Sequence, residues 1–140
     1  MSDRLDLHRL VGLAPEVVRP RFDPQALGIG SVHLGCGAFH RAHQAMHTQL
    51  AMEAAGGDWG IAGVSLRSAA VTDALQAQDG LFCVLARGAE GERLVVNGAL
   101  RATFGPARLA AAIAAMADPR TRIVSLTVTE KGYCHDPSTG

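Results

Sequence analysis

The sequence predicts an α/β fold: a mainly parallel, doubly wound sheet with helices on its faces and one inserted β-hairpin. Three observations predict it. Single apolar runs of strand length alternate with helix-compatible stretches, the pattern of strand–helix–strand units. The run WGIAGVSL (Trp59–Leu66) lacks polar alternation, as a strand buried on both faces does. A Gly-Cys-Gly turn, Gly35 to Gly37, directly follows the first apolar run and precedes a helical stretch.

The elements follow in order. Residues 1–27 are weakly periodic, and Pro15, Pro20 and Pro24 break any long helix, so they form a lead-in segment with at most one short helix. IGSVHLG (Ile29–Gly35) reads as a strand. Arg41–Ala55 has helical composition, and Gly56-Gly57 supplies its C-terminal cap. After the buried run, Ser68 is placed to cap a helix over Ala69–Gln78 that stops at Asp79-Gly80. LFCVLAR (Leu81–Arg87) and RLVVNGAL (Arg93–Leu100) flank the turn-rich GAEGE and predict a hairpin. Pro106 suits the first turn of an Ala-rich helix ending near Asp118-Pro119. RIVSLTVT (Arg122–Thr129), rich in β-branched residues, is the last strand.

Composition narrows the function. Lys+Arg and Asp+Glu balance at 13 each, so there is no basic excess to neutralise a phosphate backbone, and nucleic acid is not expected as a partner. The three cysteines, Cys36, Cys83 and Cys134, are odd in number and far apart, which fits a reducing compartment rather than a disulfide framework. No stretch reaches the roughly 18 apolar residues of a membrane span, and the N-terminus does not read as a signal peptide. A cytoplasmic protein with no membrane partner is the expectation.

The stretch HLGCGAFHRAH (His33–His43) admits three readings. In the first it holds a phosphate: Gly35 makes the tight turn, Gly37 lets a pyrophosphate approach the backbone, and the next helix presents free N–H groups, with Arg41 adding charge. The third glycine of a dinucleotide fingerprint is missing, and His40 in its place forces the helix outward or widens the turn. In the second it binds metal through His40, His43, His47 and Cys36, although the spacing matches no common zinc pattern. In the third the histidines are partly exposed polar groups beside an ordinary turn.

Two further positions bear on this. A dinucleotide site usually carries a carboxylate after the second strand to hold the ribose 2′-OH, but here the chain runs Leu66-Arg67-Ser68. Arg67 therefore either meets adenine or a 2′-phosphate or is a solvated loop charge, and NADP is not excluded. In TVTEKGYCH (Thr127–His135), the carboxyl end of a strand lying beside the first brings Thr129, Glu130 and Lys131 towards the ligand crevice; a plain surface loop is the alternative.

VHLGCGAFHRAHQA (Val32–Ala45) and IVSLTVTEKGYC (Ile123–Cys134) closely resemble the mannitol dehydrogenase and fructuronate reductase family of long-chain, zinc-independent polyol dehydrogenases. WGIAGVSLRS and QDGLF fit as well, so the resemblance covers about residues 22 to 140. It implies that the glycine turn binds a dinucleotide and not a metal, through Gly35, Cys36, Gly37, Ala38, Phe39, His40 and Arg41, with Arg67 and Ser68 near the adenosine ribose and Thr129 near the nicotinamide. It implies NAD as cofactor, a sugar alcohol or sugar acid as substrate, and reversible hydride transfer between them. Members are much longer, and their catalytic lysine lies in a helical C-terminal domain. Residues 28–140 are accordingly expected to be a partial, incomplete NAD-binding Rossmann domain without the catalytic domain, inactive alone, with Glu130 and Lys131 near the active site. The last strand would then be a bare edge. A truncated nucleotide-binding module or inactive fragment is the alternative.

Overall fold

The computed structural model describes residues 4–128 and Ser138. Its elements are α1 (Leu7–Leu10), β1 (Ile29–Leu34), α2 (Ala38–Ala42), α3 (Gln44–Ala55), β2 (Gly60–Val64), α4 (Ala70–Gln76), β3 (Phe82–Gly88), β4 (Gly91–Asn97), β5 (Leu100–Phe104), α5 (Leu109–Ala117) and β6 (Ile123–Leu126). Four strands form a parallel sheet in the order β5-β2-β1-β6, and β3 and β4 pair separately as an antiparallel hairpin.

Strand alternation sorts the core onto two faces. Ile61 of β2 packs with Met52 of α3 and Leu75 of α4, while its neighbours Ala62 and Val64 pack with Ala112 of α5. All five residues of β2 are buried, as its unbroken apolar run demands. The lead-in is fastened to this body. Val18 N–H donates to the Leu94 carbonyl (2.9 Å), and its own carbonyl accepts from Val96 (2.8 Å), so residue 18 extends the hairpin by one bridge.

The observed elements differ from the sequence reading in several places. β5 was not anticipated as a separate strand. The reading ran the second hairpin strand through Leu100, whereas the chain breaks after Asn97, whose Oδ1 accepts from Ala99 N–H (3.0 Å), and restarts as the third parallel strand. That strand mixes Arg101 and Thr103 with apolar residues, so pairing beside β2 rather than local pattern defines it. The helix expected from Arg41 begins at Ala38 and breaks at His43, where the backbone leaves helical geometry (φ −118°, ψ −81°). Three elements are shorter than read: β2 stops at Val64, α4 covers Ala70–Gln76, and β6 covers Ile123–Leu126.

β6 pairs with β1 alone among the described residues, and Val124 and Leu126 are 50% and 60% exposed. Among the described residues the apolar side chains of this edge are poorly covered.

Gly80 joins α4 to the hairpin with φ +81°, and a Cβ added there would lie 2.1 Å from the Leu100 carbonyl oxygen. Both the left-handed conformation and the backbone contact exclude a side chain. Gly80→Ala is expected to destabilise the fold by about 2 kcal/mol or more. Urea unfolding measures this directly; a midpoint equal to the wild type would show that the turn relaxes freely.

Candidate functional site

A cleft of about 740 Å³ opens at the carboxyl ends of β1, β2 and β6. This is where an open parallel sheet with a strand-order reversal binds ligands. The reversal lies between β1 and β6, since the chain moves outward from β1 to β2 and β5 and then returns to the other side of β1.

The glycine turn forms its floor. Gly35 and Cys36 both donate backbone N–H groups to the Val64 carbonyl (2.8 and 3.3 Å), tying the turn to the end of β2. Gly35 takes φ +101°, which excludes most side chains. Gly37 is different. Its backbone is extended (φ −82°, ψ −176°), and an added Cβ would meet nothing closer than the Gly35 carbonyl oxygen at 3.9 Å. Neither conformation nor protein packing requires glycine at this position. The space it leaves belongs to the cleft.

The first turn of α2 faces that space. Arg41 N–H makes the first intrahelical bond, to Gly37, so the N–H groups of Ala38, Phe39 and His40 precede it, and Gly37 offers no side-chain cap. Such groups together with a glycine turn suit an anion. Ala38, Phe39 and His40 line the cleft with Gly35, Cys36 and Gly37.

The other expected site residues divide. The Cys36 side chain points into the core, against Gly63, where an added Cβ would come within 2.6 Å of its sulfur. Burial raises the Cys36 thiol above its ordinary range, so this residue offers its backbone and not its sulfur to the cleft. Arg41 is turned inward along the loop, its guanidinium donating to the Cys36 carbonyl (2.9 Å) and bracing the turn, and it is not part of the cleft wall. Arg67 is exposed in the wall. Ser68 is not in the wall: its hydroxyl accepts from Ala70 N–H (3.2 Å) at the start of α4, but the N-cap position expected for it is taken by Ala69, and Ser65 and Leu66 line the cleft instead. These two sit directly after β2, where the carboxyl-end rule points. Thr129, Glu130 and Lys131 lie outside the described residues; Leu126 and Thr127, just before them, reach the wall.

His40 takes an unexpected position. Far from standing outward, it is 1% exposed and stacks on His33 of β1, ring centroids 3.8 Å apart and planes 11° from parallel. The expectation of partly exposed histidines fails for it, because the third-glycine position faces the strand and the stacked ring fills that gap. His33 carried no signal in the sequence, since it looks like one residue of an apolar strand. His43 and His47 remain exposed and meet edge to face, while Phe39 stacks on His43. Among the described residues no three His, Cys, Asp or Glu side chains converge as a metal site requires. Nor is any helix of the described residues long and apolar enough to cross a membrane.

Comparison with known proteins adds to this geometry. A family model described as the mannitol dehydrogenase Rossmann domain matches residues 29–139. An uncharacterized oxidoreductase, YeiQ, of Escherichia coli (strain K12) is 47% identical over 133 residues, 93% of this chain and 27% of that protein. The D-mannonate oxidoreductase of the same organism is 43% identical over 129 residues, 89% of this chain and 26% of that protein. The solved ternary complex of Pseudomonas fluorescens mannitol 2-dehydrogenase with NAD and D-mannitol superposes with a TM-score of 0.87 at 40% identity, over 98% of this chain and 29% of that one. The chain spans about a quarter of the length of the curated relatives it matches.

Burial, followed by the neighbouring His33, lowers the His40 pKa to about 4 from an ordinary 6.5. In that interval the unfolded chain binds a proton that the folded chain refuses, so stability is full above it and falls as the pH drops through it. At about 1.4 kcal/mol per pH unit, His40 accounts for a loss of about 3 kcal/mol between pH 6.5 and 4. Urea unfolding at pH 7, 5.5 and 4.5 should show a shallower decline for His40→Gln than for the wild type; parallel curves would contradict the assignment.

Proposed function

The chain belongs to the mannitol dehydrogenase family, and from that premise we propose that it forms the NAD-binding part of an oxidoreductase acting on a sugar alcohol or sugar acid. Residues 28–140 are the dinucleotide-binding unit and residues 1–27 its lead-in. The observation that carries this reading is Gly37, a glycine required by neither backbone nor packing, whose missing side chain leaves room in the cleft. The donor set fits a pyrophosphate: consecutive backbone N–H groups at the start of α2, with no carboxylate in the cleft wall among the described residues.

On this reading Gly35, Gly37 and the amides of Ala38 to His40 hold the pyrophosphate. Arg41 braces the Cys36 carbonyl so that the turn keeps its shape. Arg67, beyond the end of β2, lies towards the adenosine ribose, and Ser68 supports it indirectly by accepting from Ala70 N–H at the start of α4. Leu126 and Thr127, followed by Thr129, Glu130 and Lys131, serve the reacting end. The bound cofactor supplies the hydride acceptor or donor at its nicotinamide ring. Removal of the substrate hydroxyl proton requires a base. The chain spans about a quarter of the length of its relatives, which supports assigning it the cofactor half of the reaction. The printed names of the relatives support a polyol or aldonate substrate. Balanced charge speaks against a nucleic-acid partner, and the free thiols Cys36 and Cys83 support a cytoplasmic location without a membrane partner.

Gly37→Val should fold normally, since Val adopts the extended backbone present there, and should weaken NADH binding at least tenfold, about 1.4 kcal/mol. NADH fluorescence titration with circular dichroism of the same sample tests both halves. Wild-type affinity in a folded variant would sink the pyrophosphate assignment.

Cofactor choice follows from Arg67. With no carboxylate at the ribose end, nothing there repels a 2′-phosphate or accepts from a free 2′-OH. Arg67→Glu supplies both effects, each worth about 1–3 kcal/mol, and should raise the preference for NADH over NADPH by at least about fivefold. Titration of the variant with both cofactors measures the ratio; an unchanged ratio would remove residue 67 from the ribose.

A further inference from the structure

A chain of hydrogen bonds runs behind the glycine turn, and the residues at both of its ends line the cleft. His40 Nδ1 lies 3.3 Å from Gln44 Oε1, and Gln44 Nε2 donates to Ser125 Oγ (3.2 Å). Ser125 Oγ lies 2.9 Å from His33 Nδ1, and His33 Nε2 lies 3.1 Å from Thr127 Oγ1. The Gln44 oxygen obliges His40 to carry its proton on Nδ1. Ser125, which accepts from Gln44, then donates to His33 Nδ1, and His33 Nε2–H donates to Thr127. The exposed Thr127 keeps its hydroxyl proton, and His40 Nε2 keeps a bare lone pair. Reversing every bond exchanges the two roles and still leaves one donor and one acceptor.

His40 Nε2 is the buried side-chain polar atom without a partner among the described residues, in a residue that is 1% exposed. Buried polar atoms are normally paired, and an exception points to an absent partner. His40 and Thr127 both line the nucleotide cleft and also an adjoining cavity of about 520 Å³. Both residues lie at the β1–β6 reversal, the reacting end of the cleft.

We propose that His40 and Thr127 together recognise a primary carboxamide, the group that carries an N–H donor and a C=O acceptor on separate atoms, and hence the carboxamide of the dinucleotide's nicotinamide. This rests on the dinucleotide reading above. Thr127 donates to the carbonyl oxygen, and His40 Nε2 accepts from the amide N–H. Burial keeps His40 neutral at neutral pH, which preserves the acceptor. His33, Gln44 and Ser125 are positioning residues that set the direction of both ends.

The test titrates the protein with NADH, with ADP-ribose, which lacks the nicotinamide, and with the reduced 3-acetylpyridine analogue, which keeps the carbonyl and loses the N–H. His40→Phe retains the stacked ring and should weaken NADH binding about tenfold while leaving the other two ligands within twofold. Thr127→Val, at an exposed position, should keep the wild-type circular dichroism spectrum, weaken both NADH and the acetylpyridine analogue and spare ADP-ribose; Thr127→Ser should restore them. Equal losses for all three ligands in His40→Phe would show a purely structural role and overturn the proposal, as would unchanged NADH affinity in Thr127→Val. Failure of the wild type to bind ADP-ribose would instead overturn the dinucleotide reading, and this proposal with it.

Discussion

One imidazole ring lying on another sets the distance between the first strand and the helix that follows it. His33 of β1 and His40 of α2 are stacked at 3.8 Å, and the ring of His33 occupies the space that a helix packed closely through a glycine would need. The rest of the site is arranged around that spacer. The glycine turn is anchored on its far side by the Val64 carbonyl, the helix runs five residues before it breaks at His43, and the cleft lies between turn and sheet edge. Two neutral rings stack with little penalty; a charge on either would lack solvent and would face the other ring. Burial accordingly lowers the pKa of both.

The helix after the break, α3, is fixed by buried polar groups. Gln49 of α3 accepts from Gly98 N–H (2.8 Å) and donates to the Val96 carbonyl (3.0 Å), and Asn97 donates to the Ala45 carbonyl (2.9 Å). All are buried, where a hydrogen bond is directional and costly to break. They lock α3 to the end of the hairpin, so an element outside the parallel sheet still determines where the helix behind the glycine turn sits. β6 has no comparable support. Its position depends on β1 pairing and on the Ser125 and Thr127 contacts with His33, which couple this edge to the histidine stack.

Much of this was legible. β1, β2 and the hairpin follow from apolar runs bounded by glycine and turn residues, and Gly35 and Gly37 stand between strand and helix as a phosphate-binding turn requires. The motif resemblance pointed to the family that the comparisons support. What escaped has local causes. β5 has a mixed composition and follows the hairpin by two residues, so no pattern separates it from β4. Ser68 was placed at the ribose from its position after β2, but its hydroxyl is used by α4, and Ser65 and Leu66 take the wall. Arg41 suggested a phosphate charge, yet it turns back on Cys36.

The sequence by itself determined the alternation of strands and helices, the buried second strand and the location of the glycine turn, because each depends on residue type within a few neighbours. Only the tertiary structure decided that His40 faces inward, that it finds His33 seven residues earlier, and that Ser125 and Thr127, more than eighty residues later, complete the same network. Those partners meet because β6 returns to lie parallel beside β1 after the chain has built two strands on the other side. A side chain's role there depends on which strand becomes its neighbour, and that adjacency is a property of the folded sheet and not of any window of sequence.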